Sequence, residues 1–199
     1  METALRADGA ATTVLVPVLP LGEVCLFPES SVSVIVSGER ALRSLEMAGR
    51  AGGRVLAVAR REAEELQAVG TVAQVTEELT LGDGSHRVEL DGLQRARTVT
   101  LVAGEVLVAE AELLDDGDAG DDWGAAVEAL ARYLHAHAEL RSFLDGQRRS
   151  AQPMSWVNLA CQHLPITASA RQKLLESSAP ERCLKISRGL EALLRKELG

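Results

Sequence analysis

Leu114-Asp115-Asp116-Gly117-Asp118-Ala119-Gly120-Asp121-Asp122 divides this 199-residue chain into two parts of different character. Five Asp and two Gly in nine residues have no apolar surface to bury, so the stretch reads as a hinge or exposed linker. As a calcium loop it fails, because no frame puts oxygens at alternate positions with glycine at six and glutamate at twelve. Residues 1–114 hold 10 basic and 17 acidic side chains, net −7, whereas 123–199 hold 11 and 7, net +4. The organisation expected is a flexible N-terminus over 1–13, a β-rich lobe over 14–113, the linker over 114–122 and an α-helical lobe over 123–199. The two lobes are expected to be separable, with the junction open to proteases.

Working back from the linker, short runs of β-branched and apolar residues punctuated by Gly or Pro predict strands at Val14–Leu19, Ser31–Val36 and Arg54–Ala59. Gly38–Arg50 interrupts them, with Ala41, Leu42, Leu45 and Ala48 at helical spacing, Ser37 as N-cap and Gly52-Gly53 as the stop. Gly70–Leu81 and His86–Leu90 flank Gly82-Asp83-Gly84-Ser85, whose Asp-Gly pair suits a tight hairpin turn. Thr98–Val102 and Glu105–Ala111 complete a closed or nearly closed antiparallel sheet of about six strands. Working forward, Trp123, Val127, Leu130, Leu134 and Ala138 form one stripe of a helix running to about Phe143. Pro153 opens a second helix to Leu164, Thr167 caps a third over Ala168–Ser177, and Pro180 opens a fourth whose stripe is Cys183, Leu190, Leu194 and Leu198. The fold class is α+β, a β lobe with one helix followed by four bundled helices.

Composition narrows the chemistry. The chain is 46% hydrophobic and 25% charged, as ordinary globular domains are, and its net charge of −8 disfavours a phosphate backbone or an anionic membrane as partner. Aromatic residues are 3% of the chain, too few for a base-stacking platform. No secretory leader or membrane-length apolar run is visible, and Cys25, Cys161 and Cys183 are widely separated, so a reducing cytoplasmic setting is expected. Lys173, Lys185 and Lys196 lack the glycine-rich context of a Walker loop. His135 with His137, and Cys161 with His163, lie two apart on helices and cannot converge on one metal; no metal and no cofactor are expected. Cys25, inside Val24-Cys25-Leu26-Phe27, reads as core rather than nucleophile.

Four blocks carry a family resemblance. Val18-Leu19-Pro20-Leu21-Gly22-Glu23-Val24-Cys25-Leu26-Phe27-Pro28 resembles the opening of the N-terminal substrate-binding domain of Lon proteases, where a Leu-Pro-Leu element leads into a Phe-Pro turn. Val69-Gly70-Thr71-Val72-Ala73 is similar to a strand of that family, Val88–Arg97 to its Val-x-Val-x-Gly-Leu-x-Arg segment, and Trp156–Leu175 to its helix, Leu-Pro break and Lys-x-x-Leu-Leu-Glu helix. The blocks keep their order across about 18–198. Gly22 and Glu23 depart from the usual Arg-Asp, and Glu29 stands where glycine usually follows Phe-Pro.

The resemblance implies an antiparallel PUA-like pseudo-barrel followed by a helical bundle, without the ATPase and Ser-Lys protease modules of the full enzyme. It implies a non-catalytic module that binds unfolded or partly folded proteins, with a complete Lon-type protease or a second copy of itself as further partners. The surface expected to do so is built on Leu21, Phe27, Pro28, Leu93, Arg95 and Trp156. Two readings of other classes stay open: RNA binding through a basic cleft of Arg87, Arg95 and Arg97, and a hydrolase in which His86 or His163 meets a nucleophile. Phe27 has its own alternative, as a plug inside the barrel.

Overall fold

Strand-forming runs carry the chain through six strands and one helix before the linker, in a computed structural model that describes residues 12–61, 65–117, 119–120, 122–147 and 152–198. The strands are β1 (Thr13–Pro20), β2 (Ser31–Val36), β3 (Arg54–Val58), β4 (Val69–Thr80), β5 (His86–Ala103) and β6 (Leu107–Leu113), with α1 (Glu39–Arg50) between β2 and β3. Five helices follow: α2 (Asp122–Ala136), α3 (Ala138–Gln147), α4 (Pro153–His163), α5 (Ala168–Glu176) and α6 (Ala179–Leu198). The expected flexible N-terminus lies, through residue 11, outside the described residues, as do Asp118 and Asp121 of the linker.

The sheet runs β2-β5-β4-β3-β1-β6, and the far half of β5 also pairs with β6, which closes five strands into a ring and leaves β2 on its flank. Closure depends on one strand, β5, 18 residues long, expected as two strands and continuous because register shifts opposite Val72/Ala73 and within Thr98/Thr100 bend it without breaking it. The sheet is mixed: β1 and β3 are parallel, since β2 and α1 form the crossover between them. In the β4–β5 turn only Gly84 takes a positive φ, 81°, while the Asp83 carboxylate accepts the Ser85 backbone N–H at 2.9 Å and its hydroxyl at 2.6 Å.

The caps and breaks refine the expectations. Gly38, at φ 90°, is the N-cap of α1 in place of Ser37, with no side-chain cap bond, and the Gly53 N–H closes its far end on the Ala48 carbonyl. The first helix of the second lobe ends early. His137 donates its N–H to Leu134 and engages the Tyr133 carbonyl through ring Nδ1 at 2.8 Å, so α2 and α3 are separate and the helices of this lobe, among the described residues, number five rather than four. Trp123, expected in the buried stripe of α2, is 41% exposed; Ala126, Ala129, Leu130, Tyr133 and Leu134 form the buried face.

Three apolar clusters hold the chain. One fills the barrel beneath β1, β3 and β6; one joins the β2 side of the sheet to α1. The third is the helical core, and it includes Cys25, Phe27, Ala59 and Val69 from the β lobe. The lobes therefore share a core.

Glu29 is the non-glycine residue with positive φ, 58°, among the described residues, and it occupies the position where the resembled family has glycine. Its N–H reaches the Gly92 carbonyl at 2.9 Å, and Gly92 has no room for a side chain because a Cβ would fall on the Phe27 carbonyl oxygen. A left-handed L-residue costs about 1–2 kcal/mol, and glycine returns about half of that gain as chain entropy. Glu29→Gly is expected to raise stability by about 0.5–1 kcal/mol in urea denaturation; a loss of stability would show that the Glu29 side chain contributes more than its backbone strain costs.

Candidate functional site

The Leu21–Ser30 loop is apolar where a loop should be polar, and its buried backbone groups need partners. They come from side chains far along the chain. Gln162 on α4 accepts the Phe27 N–H at 3.1 Å and donates to the Ser31 carbonyl at 2.8 Å. Asn158, one turn earlier, donates to the Pro28 carbonyl at 3.1 Å, and Thr71 on β4 donates to Leu26 at 2.5 Å. Gln172 on α5 donates to the Val69 carbonyl at 3.0 Å and accepts the Cys25 thiol at 3.4 Å. Phe27 is wholly buried against the helical core, with the Arg182 guanidinium 5.7 Å from its ring centre. It plugs the helical lobe, not the barrel.

Arg95 on β5 and Arg182 on α6, 3% and 0% exposed, converge on Asp116. Both also take up carbonyls at the end of α5, where a helix leaves acceptors unpaired: Arg182 bonds Leu174 and Ser177 at 3.0 and 2.9 Å, Arg95 bonds Leu175 and Glu176 at 3.1 and 3.3 Å. Arg182 further holds Asn158 at 2.6 Å. Burial pulls the Arg95 guanidinium below its ordinary value, and Asp116 opposes that shift. The Asp116 carbonyl accepts the Ala179 N–H at 2.8 Å. This part of the linker, expected to be solvated and free, is bonded to both lobes because its carboxylate faces two buried cations.

Above this network lies a cleft of about 340 Å³ between the lobes, walled by Pro28, Glu29, Leu93, Leu114, Asp115 and Met154, with Arg95, Asp116 and Asn158 at its floor. It brings together Pro28, Leu93 and Arg95 of the six residues expected to bind. Leu93 is 45% exposed, whereas Leu21, Phe27 and Pro28 are buried, and Arg95 is committed to Asp116. Trp156, on α4 beyond Met154, is half-buried against the helical core outside this lining. A larger cleft, about 540 Å³, lies between α1 and the β5–β6 turn; its Arg43 is paired with Glu39 at 2.5 Å and Glu105 at 2.9 Å.

The basic cleft does not form. Arg95 is buried, Arg97 faces Glu112 at 3.5 Å and Arg87 faces Glu77 at 3.9 Å. His86 lies between Glu78, at 2.5 Å, and the Thr80 hydroxyl, at 3.5 Å, on a hairpin outside both clefts. His163 packs edge-on against Phe143, ring centres 4.9 Å apart, and burial followed by the charge of Arg171 lowers its pKa. Among the described residues no three His, Cys, Asp or Glu side chains gather as a metal site, and no helix is long and apolar enough to cross a membrane.

Asp116, Asn158, Met154 and Arg182 were not anticipated. Asn158 and Gln162 left a signal, since two amides one turn apart on an otherwise apolar helix need buried partners.

These features define a two-lobed α+β module with its candidate site at the lobe junction. The chain belongs to the family of the ATP-dependent protease La (Lon) substrate-binding domain, whose model matches residues 15–191. It is 32% identical over 197 residues to Lon protease 1 of Thermus thermophilus, covering 90% of this chain and 24% of that one, and 29% identical over 177 residues to Lon protease of Escherichia coli, covering 82% and 23%. The chain thus spans about a quarter of the length of the curated relatives it matches. Its fold is similar to the N-terminal domain of Mycobacterium avium complex Lon protease (TM-score 0.74, 18% identity, 90% of this chain and 98% of that one). It is also similar to a Lon N-terminal domain protein from Xanthomonas campestris (TM-score 0.65, 21% identity, 92% and 98%).

Asp116→Ala strands two buried guanidiniums. The expected loss is roughly 2–4 kcal/mol, below the full buried-pair cost because the carboxylate is 33% exposed, and urea denaturation measures it. Burial raises the Cys25 thiol to about 11 and Cys161 to about 12. At pH 8 only about one Cys25 in a thousand is thiolate, so Ellman's reagent is expected to label Cys25 and Cys161 negligibly in the native protein and fully in guanidinium.

Proposed function

We propose that the chain is a non-catalytic recognition module that holds exposed apolar segments of unfolded or partly folded proteins for ATP-dependent proteolysis. The observation that supports this most is the interlobe cleft, whose rim offers Leu93, Leu114 and Met154 while the charged groups beneath are already bonded to one another. The guanidiniums of the floor are taken up by Asp116 and by carbonyls, and the exposed carboxylates of Glu29 and Asp115 on the wall disfavour an anionic substrate, so apolar contact is the main source of affinity in this reading. In this reading the ring of five strands with β2 on its flank is a PUA-like pseudo-barrel, the helices are its bundle, and a complete Lon-type protease or a second copy is a further partner. The family and fold likenesses support the reading; RNA binding has lost the arginine cleft that motivated it.

A rim of a few hundred Å² at about 25 cal/mol per Å², less the ordering of a flexible client, gives binding on the order of micromolar. Titrating reduced, carboxymethylated lactalbumin and a structured RNA hairpin at two salt concentrations separates protein from phosphate recognition. The expected result is lactalbumin binding that changes little with salt and weakens about tenfold in Leu93→Asp with the fold intact. Salt-sensitive binding of RNA alone would overturn the proposal.

A further inference from the structure

Strand β2 has an unguarded edge. β5 is its strand partner, through Ser31↔Asp91 to Val36↔His86, and among the described residues no strand pairs with its other side. Two bonds fix which groups face outward. Ser30 accepts the Gly92 N–H, which aims the even-numbered residues at β5, and the Ser31 carbonyl is turned to Gln162. By alternation the N–H and C=O of Ser33 and Ile35 point away from the sheet. Ser33 is exposed and Ile35 is 60% exposed.

Natural edges are blunted with charge, proline or bulges. The molecule does this elsewhere: β4 outruns β3 after Gln74, and its bare stretch carries Glu77 and Glu78. β2, Ser-Val-Ser-Val-Ile-Val, has no charge, no proline and no register shift against β5. On its inner face Val32 and Val34 are only half-buried beside α1, so the apolar layer continues to the edge and stops.

We propose that the β2 edge adds an extended client segment as a further strand, held by the main-chain groups of Ser33 and Ile35, with alternate apolar client side chains covering Val32 and Val34. Hydrogen bonds to backbone are indifferent to client sequence, and the strand must be free of proline where it faces β2. A second copy of the chain is the weaker occupant. Two six-residue strands, each about 20 Å long and about 10 Å wide, bury on the order of 400 Å² in total, well under the roughly 1,200 Å² of a stable dimer. This rests on the client-binding reading but places contact on an edge remote in kind from the apolar cleft.

The test uses a fluorescent nine-residue peptide of alternating valine and threonine, and two isomers of it, each N-methylated at the amides of one edge. Methylation keeps every side chain and removes donors. The expected result is about tenfold weaker binding of whichever edge-methylated isomer blocks pairing, and a similar loss in Ser33→Pro, whose outward N–H makes no bond to β5. Ser33→Lys, a charge guard that leaves the backbone intact, is expected to act likewise, and circular dichroism checks both folds. Equal affinity for all peptides, or no peptide binding, overturns the edge proposal; lactalbumin binding sensitive to Leu93→Asp would then still stand. A β2-dependent dimer in sedimentation, abolished by Ser33→Lys, would overturn it in favour of the second copy.

Discussion

Phe27 donates its backbone N–H to a side-chain amide 135 residues later, and the rest of the molecule is arranged so that it can. A loop carrying Cys25, Leu26, Phe27 and Pro28 is too apolar for the surface and, lacking regular pairing, too polar in its backbone for the interior. The solution is to bury Cys25 and Phe27 in the helical core and Leu26 in the cluster between the sheet and α1, and to satisfy the backbone with Asn158, Gln162 and Thr71. Because those amides sit on α4, the helical lobe cannot leave without exposing Phe27 and stranding the loop's donors and acceptors. The two lobes share a core by this argument, despite the linker's composition.

The arginines solve the related problem at the end of α5. Its last carbonyls are met by two guanidiniums, one from β5 and one from α6, whose fixed forks reach several acceptors at once where water would otherwise have to. Two cations so placed need an anion, which Asp116 supplies from the linker. The linker's acidity has a structural use at that one residue, and the cleft above inherits a floor whose charged groups are already engaged.

Much of this was legible locally. β2 was read to the residue, and Thr167 caps α5 through its side chain at 3.2 Å as the spacing implied, because both depend on neighbours in sequence. What could not be read depends on distant partners. The parallel β1–β3 pair, the unbroken β5 and the split at His137 follow from the ring's closure and from one imidazole taking a carbonyl. The candidate cleft was half legible: Pro28, Leu93 and Arg95 do line it, but Phe27, Leu21 and Pro28, singled out as apolar residues in a turn, are buried for that same apolarity. A linear pattern shows that a residue is apolar; it does not show which of two lobes will claim it.

The order in which the chain is made gives the Phe27 loop a second meaning. Synthesis proceeds from the N-terminus, so the loop emerges long before α4, and the ring cannot close until β6 has been added to β1, about a hundred residues after it. Until Asn158 and Gln162 leave the ribosome, the nascent β lobe carries an apolar segment with unsatisfied backbone groups. For that interval the protein has the hallmark of the unfolded chains it is proposed to recognise, and its own helices are what end it.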